Sequence, residues 1–159
     1  RRWISAMATN LYGPGDSFEL ETSHVLPDLV RRFHDAVQDN AKAVTLWGSG
    51  RPRREFLHVD DAASELIHLL ERHDGPELVN VGTGEKLTIS ELARLVAGII
   101  GYTGEILWDT TRPDGAPRKL LDITPLMESG WAPTISLVDG VRATWEHYRN
   151  RVAVLGRTP

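Results

Sequence analysis

The spacing of apolar and polar residues divides the chain into short apolar runs that alternate with amphipathic stretches. The apolar runs have the length of strands, and they lie at 3–16, 43–50, 54–59, 77–84 and 105–109. The amphipathic stretches have helical spacing, and they lie at 23–40, 62–73, 89–100 and about 136–152. Strands that alternate with helices are typical of an α/β chain with some parallel pairing. We therefore predict an α/β fold that begins with a buried strand.

Polar residues predict where three of the helices begin. Ser23 is the expected N-cap of the first helix, and Asp60 or Asp61 is expected to cap the second. Thr88 and Glu91 have the S/T-x-x-E spacing of a capping box at the start of the third helix. Side chains at such positions satisfy amides that have no partner within the helix.

The composition excludes several classes of protein. With 159 residues, 41% of them hydrophobic and 25% charged, the chain has the profile of a globular domain with a sizeable core. A net charge of -4 argues against a general nucleic-acid binder. The chain has no cysteine and its six histidines have no metal-ligand spacing, so no metal site is predicted. No apolar run approaches the ~20 residues of a membrane span, and we expect a cytoplasmic protein without a membrane partner.

One loop combines an aromatic ring with positive charge. Trp47 stands at the end of an apolar run, next to a glycine turn and close to Arg51, Arg53 and Arg54. An exposed indole offers a face for stacking a flat ring, and guanidinium groups bind phosphate oxygens in pairs. A nucleotide-linked ligand would satisfy both features. The alternative, a tryptophan buried at the end of a strand beside solvated arginines, remains open on this segment alone.

Two neighbouring arginines of the first helix differ in their predicted position. At ~100° per residue, Arg31 lies nearly opposite the apolar stripe and is expected in solvent. Arg32 lies on the border of the stripe, where the aliphatic part of an arginine is buried and its guanidinium reaches into a cleft. Arg32 is therefore a candidate ligand residue, with an ordinary partly buried arginine as the alternative.

Two other loops carry weaker signals. Asp114 could accept hydrogen bonds from sugar hydroxyls, and Arg118 and Lys119 could reach phosphates, but Pro-Asp-Gly by itself favours a surface turn. Gly82-Thr83-Gly84 follows a strand and precedes a helix, as a dinucleotide-binding loop does. Because Leu87 stands where that fingerprint has its third glycine, we predict a tight turn instead.

Five segments together resemble one known family. They are TNLYGPGD, SHVLPDLVRRFHDA, WGSGRPRREFLHVDD, VNVGTG and RPDGAPRKLLD. In this order they are similar to the C-terminal half of the GDP-L-fucose synthases, which are extended short-chain dehydrogenases/reductases. REFLHVDD and NVGTG are shared with many nucleotide-sugar epimerases, whereas SHVLPDLVRRFHDA and PDGAPRKLLD are more specific to this family. The expected fold is the substrate-binding portion of such an enzyme, with strands and helices that return to its Rossmann domain.

The resemblance implies roles for particular residues. The implied contacts with the cofactor NADP(H) are at Ala8, Thr9, Asn10, Leu11 and His24, although the family has proline at the position of Ala8. The implied contacts with a GDP-sugar substrate are at Arg32, Trp47, Arg54, Asp114 and Lys119. His24 is the implied catalytic acid of the epimerisation.

The resemblance also implies a reaction and a division of the chain. The family converts GDP-4-keto-6-deoxy-D-mannose to GDP-L-fucose by inverting C3 and C5 and then reducing C4 with NADPH. Residues 1–16 would be the last part of the cofactor (Rossmann) domain. Residues 17–153 would be mainly substrate-binding, with returning Rossmann segments near 54–84, and 154–159 would be a tail.

The family's glycine-rich loop and its catalytic Ser and Tyr-x-x-x-Lys have no match in this chain, which begins Arg-Arg-Trp without methionine. We expect a portion of a longer, homodimeric enzyme that is inactive by itself and exposes apolar strand edges. Two alternatives remain open: another extended reductase, epimerase or dehydratase acting on a UDP- or dTDP-sugar, and a non-catalytic remnant that binds a nucleotide sugar.

Overall fold

The computed structural model describes residues 3–20, 22–115 and 121–155, and its helices and strands alternate as predicted. The strands are β1 (Ser5–Ala8), β2 (Asn10–Tyr12), β3 (Ala43–Trp47), β4 (Arg53–Arg54), β5 (Phe56–His58), β6 (Leu78–Val81), β7 (Leu87–Thr88) and β8 (Glu105–Asp109). The helices are α1 (Val25–Gln38), α2 (Val59–Arg72), α3 (Ile89–Ile100), α4 (Thr124–Glu128) and α5 (Leu137–Leu155). The predicted α/β class is confirmed.

The strands form pairs, most of them parallel. β1 pairs with β6, β2 with β5 and β3 with β8 in parallel, while the two-residue strands β4 and β7 pair antiparallel. Parallel neighbours require a crossover connection, which explains why helices separate the paired strands along the chain. The register of β3 and β8 places Trp47 beside Asp109, so both strands deliver their last residues to one edge.

The described residues form two apolar cores, and the larger one lies between three helices and the β3–β8 pair. Phe33 of α1, Leu92 of α3 and Val141 of α5 are fully buried there. Each such side chain contributes about 1.5–3 kcal/mol through burial. This core fixes the position of α1, whose N-terminal turn borders the candidate site described below.

A second core joins α2, α4 and the strands β5 and β6. Leu57, Leu69, Val81 and Leu126 are its most buried members, and Trp131 covers one end. The short helix α4 was not predicted from the sequence. It packs against β6 and so adds a layer to this core.

The first strand differs from its prediction. The apolar run at 3–16 contains two short strands, and all four residues of β1 are exposed rather than buried. Within the described ranges, the sheet partner of β1 is β6 alone, and Met7 of β1 is 48% exposed. The prediction of a buried strand was wrong because apolar sequence predicts a strand without identifying what covers it.

Two helix starts show how caps depend on the preceding strand. The capping box of Thr88 and Glu91 is confirmed, since each side chain accepts from the other residue's amide at 3.1 and 2.6 Å. The predicted cap of α2 at Asp60 or Asp61 was wrong. The helix follows β5 directly, and the N-cap is His58, whose Nδ1 accepts from the Asp60 amide.

Candidate functional site

Trp47 forms a wall of a cavity at the carboxyl end of β3. Its side chain is 64% exposed, which excludes the alternative of a buried tryptophan. The cavity has a volume of about 190 Å³, and Arg54 and Asp114 also line it. Three residues that sequence reasoning assigned to the substrate, two from the segment at 47–61 and one from the loop after β8, therefore lie around one cavity.

Arg32 lies beside a second cavity that shares the Trp47 wall. This cavity has a volume of about 280 Å³, and Val25 and Ile89 line both it and the first. The Nε atom of Arg32 is 2.8 and 2.9 Å from the two carboxylate oxygens of Asp28, one turn earlier on α1. This ion pair holds the guanidinium at the cavity wall, as the position of Arg32 on the helix predicted.

The prediction that Arg31 lies in solvent was wrong. Its side chain is only 14% exposed, and its Nη1 donates to the carbonyl of Phe18 at 3.1 Å. Its Nε is 3.6 Å from Asp35. The loop before α1 folds back over the helix face that the 3.6-residue period places away from the core. Arg31 therefore ties this loop to α1.

Ser49 holds the carboxylate of Asp114. The Ser49 hydroxyl donates to Oδ2 at 2.6 Å, and the Ser49 amide donates to Oδ1 at 2.8 Å. These bonds, the hydroxyl's first, hold the pKa of Asp114 below its usual range, and Arg51 adds to the effect. Gly48 has a φ of +81°, and a Cβ there would collide with the same carboxylate, so the turn requires glycine.

Arg112 covers part of the Trp47 indole, a contact that sequence reasoning missed. Its Cζ lies 4.9 Å from the ring centroid, within the range of a cation–π interaction. Its Nε is 4.0 Å from Asp109, the register partner of Trp47. Hydrogen bonds from the Thr111 hydroxyl and amide lower the pKa of Asp109, and Arg112 lowers it further. The adjacent positions of Trp47 and Asp109 become evident only when β3 and β8 are paired.

Arg54 differs from the neighbouring arginines in its location. Arg51 and Arg53 are exposed, whereas Arg54 is half-buried and lines the first Trp47 cavity. A Cβ at Gly115 would lie 3.1 Å from the Arg54 guanidinium, so the segment after β8 passes close to it. The resemblance assigned Arg54, rather than Arg51 or Arg53, to the substrate, and of the three it is Arg54 that lines this cavity. Lys119 lies outside the described residues.

A third cavity contains every residue that the resemblance assigned to the cofactor. It has a volume of about 510 Å³, and Ala8, Thr9, Asn10, Leu11 and His24 line it. Its lining also includes the turn at 12–16 and Val59. The predicted cofactor contacts therefore lie on one concave surface.

Backbone pairing and two side chains fix the shape of this third cavity. The Thr9 hydroxyl and the Asn10 amide group both donate to the Glu55 carbonyl, at 3.1 and 2.8 Å. The Thr9 amide donates to the carbonyl of Val81. At Thr9 the N-terminal segment therefore changes its pairing partner, from β6 for β1 to β5 for β2.

His24 lies at the junction between the cavities. It is exposed, and it is the N-cap of α1, so the predicted cap at Ser23 was wrong by one residue. In the described part of the chain its side chain makes no cap hydrogen bond. The next residue, Val25, lines both Trp47 cavities. Because the imidazole is not used in capping, it is available at the third cavity, and α1 connects the two regions.

Sequence reasoning missed a buried acid, Glu55, next to the third cavity. Glu55 is fully buried, and its Oε1 accepts from the amides of Thr83 and Gly84 at 2.6 and 2.9 Å. A Cβ at Gly82 would collide with the same oxygen. The predicted tight turn at 82–84 is thus present, and a buried carboxylate holds it. A charged residue inside an apolar strand segment was the available signal.

Other features of the described ranges bear on the predicted classes of partner. Within them, none of the helices has the length and apolar character that crossing a bilayer requires. The same ranges hold no group of three or more histidine, aspartate or glutamate side chains suited to a metal ion. His34 and His58 are buried.

Comparisons with known proteins agree with the resemblance seen in the sequence. The putative GDP-L-fucose synthase 2 of Arabidopsis thaliana is 54% identical over 149 residues, which cover 94% of this chain and 45% of that protein. The GDP-L-fucose synthase of Escherichia coli K12 is 48% identical, with 93% of this chain and 49% of that protein covered. The chain thus spans about half the length of the curated relatives it matches.

A solved structure and a family model extend the comparison. The GDP-L-fucose synthetase of Naegleria fowleri bound to NADP superposes with a TM-score of 0.87 at 26% identity, covering 98% of this chain and 49% of that one. This likeness confirms the predicted extended short-chain dehydrogenase/reductase fold. The family model described as the NAD dependent epimerase/dehydratase family matches residues 1–82. The chain therefore belongs to the NAD dependent epimerase/dehydratase family.

Proposed function

We propose that this chain is part of an NADPH-dependent 3,5-epimerase/4-reductase that converts GDP-4-keto-6-deoxy-D-mannose to GDP-L-fucose. One observation carries the proposal: Trp47, Arg54 and Asp114 surround one cavity, and Arg32 lies beside the adjoining one. An exposed indole next to two guanidinium groups suits a purine base linked to a diphosphate. Relatives named GDP-L-fucose synthase, at 48–54% identity, support the choice of GDP-sugar.

The third cavity fits a nicotinamide cofactor, and we propose NADP(H) for it. Its volume of about 510 Å³ lies within the ~300–1,000 Å³ of small-molecule sites. Ala8, Thr9 and Asn10 offer small or polar side chains there, and the Glu55 carbonyl already fixes Thr9 and Asn10. When bound, NADPH would supply the hydride for reduction at C4. The task of this chain would be to orient the nicotinamide side and to exclude water from it.

His24 is the residue to which we assign acid catalysis in the epimerisation. Its exposed imidazole borders the third cavity, next to the α1 turn that reaches the Trp47 cavities. Histidine donates and accepts protons near neutral pH, which suits proton return at C3 or C5 next to a ketone. Replacing His24 with Asn is expected to lower kcat by about 10²–10⁴-fold with little change in KM. An unchanged kcat in steady-state assays would contradict this role.

We propose that the exposed sides of β1, β6 and α2 pack against the remaining half of the complete enzyme. Apolar side chains are exposed there; they are Met7, Leu66, Ile67, Leu70 and Leu78. Such a patch, together with an unpaired strand edge, is unfavourable in water. In this proposal residues 1–16 and the segments near 54–84 belong to the cofactor domain, and the rest of 17–153 binds substrate. Lower amide exchange of β1 in the full-length protein than in the 159-residue chain would support this division.

The decisive test is an activity assay of the full-length protein that contains this chain. With GDP-4-keto-6-deoxy-D-mannose and NADPH we expect GDP-L-fucose, identified by chromatography and NMR, while the 159-residue chain alone is expected to be inactive. A panel of GDP-, UDP- and dTDP-sugars should show preferential binding of the GDP-sugars. Preference for a UDP- or dTDP-sugar would indicate another epimerase or reductase, and binding without turnover would indicate a non-catalytic binding protein.

We further propose that the complete enzyme is a cytoplasmic homodimer. The resemblance to a family of homodimers supports the oligomeric state. The cytoplasm is the default expectation for a globular chain of this composition, and the lack of cysteine is compatible with it. Light scattering of the full-length protein should give twice the monomer mass, and a monomer mass would contradict the homodimer. Cell fractionation tests the cytoplasmic location.

A further inference from the structure

We propose that Ser49 is a positioning residue of the nucleotide-sugar site, which holds Asp114 and thereby closes residues 109–115 over Trp47. This inference rests on the proposed function, because it assigns Ser49 to the same cavity. The relevant geometry is a clasp between two loops that lie 65 residues apart in the chain. None of the sequence motifs pointed to Ser49.

The Ser49 hydroxyl has a defined orientation. It accepts a hydrogen bond from the Arg51 amide at 3.2 Å and donates its own proton to Asp114 at 2.6 Å. The Ser49 amide donates to the other carboxylate oxygen at 2.8 Å. Two donors from one residue therefore fix both oxygens of Asp114, and bonds to a charged acceptor are the stronger kind.

Glycine at position 48 makes this approach possible. Its positive φ turns the chain so that the Ser49 amide points at Asp114, and any Cβ there would collide with the carboxylate. The Gly48 amide also donates to the Asp109 carbonyl at 3.0 Å. The two loops are therefore joined at both ends of the 109–115 segment.

Three contacts place this segment on the proposed ligand site. Arg112 lies over the Trp47 ring, Asp114 is held by Ser49, and Gly115 passes beside Arg54. Pro113 and Gly115 are themselves walls of the first Trp47 cavity. Loss of the contact between Ser49 and Asp114 would release residues 109–115, which shape this cavity.

The clasp is compatible with a ligand contact at Asp114. Each carboxylate oxygen has two lone pairs, so both can accept a further hydrogen bond from a ligand hydroxyl while Ser49 holds them. Ser49 would thus orient the carboxylate before the ligand arrives, and preorganisation of this kind strengthens binding without changing the chemical step. We therefore expect an effect on KM rather than on kcat.

The test compares Ser49→Ala, Ser49→Thr and the control Ser17→Ala in the full-length protein. Ser17 is exposed and lines neither Trp47 cavity. Ser49→Ala should raise KM for the GDP-sugar about tenfold with kcat unchanged. Ser49→Thr, which keeps the hydroxyl, should restore KM, and Ser17→Ala should behave as the parent protein does.

A second measurement, without ligand, separates this inference from the proposed function. Amide exchange at 109–115 should be faster in Ser49→Ala than in the parent protein. Faster exchange with an unchanged KM, or unchanged exchange, would overturn the role of Ser49 while leaving the activity in place. A parent protein that neither binds nor converts a GDP-sugar would overturn the proposed function and this role with it, whatever the exchange rates at 109–115.

Discussion

Asp61 accepts hydrogen bonds from both the hydroxyl and the backbone amide of Thr134, at 2.8 and 3.1 Å. The Ile135 amide adds a bond to the other carboxylate oxygen at 2.9 Å. The first turn of α2 is thereby tied to the segment just before α5. One turn further along α2, Glu65 is fully buried, and among the described residues neither of its carboxyl oxygens has a hydrogen-bond partner. The two acids thus share one helix face, but the carboxylate of Asp61 is hydrogen-bonded, whereas the carboxyl of Glu65 makes no such bond with the described residues.

Stability is expected to fall as pH rises because of Glu65. Burial raises its pKa to about 8 from 4.5, and the charges of Asp61 and Glu55 act in the same direction. The folded state favours the neutral carboxyl of Glu65. Its contribution to the free energy of unfolding is therefore fully present below pH 4.5 and is lost progressively up to about pH 8. The total loss should be roughly 3–5 kcal/mol, measured by urea unfolding across this range.

Glu65→Gln keeps the shape of the neutral carboxyl and cannot ionise, so its stability should be nearly constant over the same pH range. Glu71→Gln is the matched control, because Glu71 is an exposed residue of the same helix. The control should retain the parent protein's decline with pH. If Glu65→Gln declines as steeply as the control, another group is responsible and the interpretation is wrong.

Two glycine-to-alanine replacements should have opposite effects on stability. Gly82→Ala would displace the Glu55 carboxylate from the amides of Thr83 and Gly84, at an expected cost of roughly 1–3 kcal/mol. Gly98 lies in α3, and an added methyl group there would meet no heavy atom of the described residues within 4 Å beyond its own turn of helix backbone and its chain neighbours. Gly98→Ala should therefore stabilise the protein by about 0.5–1 kcal/mol. Thermal unfolding measures both, and a stabilising Gly82→Ala would show that Glu55 does not hold the turn.

The elements of this fold were predictable where a short range of sequence determines them. The capping box of Thr88 and Glu91 needs only four residues, and the strand at 105–109 needs only its own apolar run. The α2 cap was missed because it depends on where β5 ends, and the exposure of β1 was missed because it depends on packing partners. Pattern alone does not contain either kind of information.

The candidate site shows the same division. Trp47 and Arg32 could be chosen as candidates from nearby sequence alone. Trp47 is an aromatic residue beside a glycine turn, and Arg32 lies at the border of the apolar stripe of its helix. The contacts of Ser49 with Asp114 and of Arg112 with Trp47 were not identifiable. They connect loops far apart in the chain, and they arise only because β3 and β8 pair in a particular register.

The neighbouring arginines of α1 should respond differently to replacement. Arg31→Ala removes the bond to the Phe18 carbonyl, which should destabilise the full-length protein by roughly 1.5–3 kcal/mol and leave KM unchanged. Arg32→Ala should raise KM for the GDP-sugar, because Arg32 lines a Trp47 cavity. It should also lower stability, because Asp28 loses its ion-pair partner. Thermal unfolding and steady-state kinetics together separate the two. Equal effects of both changes on KM would contradict the distinction.

Removal of the Trp47 indole should weaken substrate binding specifically. Stacking of a base on an aromatic side chain contributes about 1–3 kcal/mol, so Trp47→Ala in the full-length protein should raise KM roughly 10- to 100-fold with kcat largely retained. Trp47→Phe keeps an aromatic face and should recover part of the affinity. Arg94→Ala, an exposed change on α3, serves as the control. Calorimetric titration with GDP alone should show the same order of affinities, because the predicted contact is with the base, and equal GDP affinity in all variants would rule that contact out.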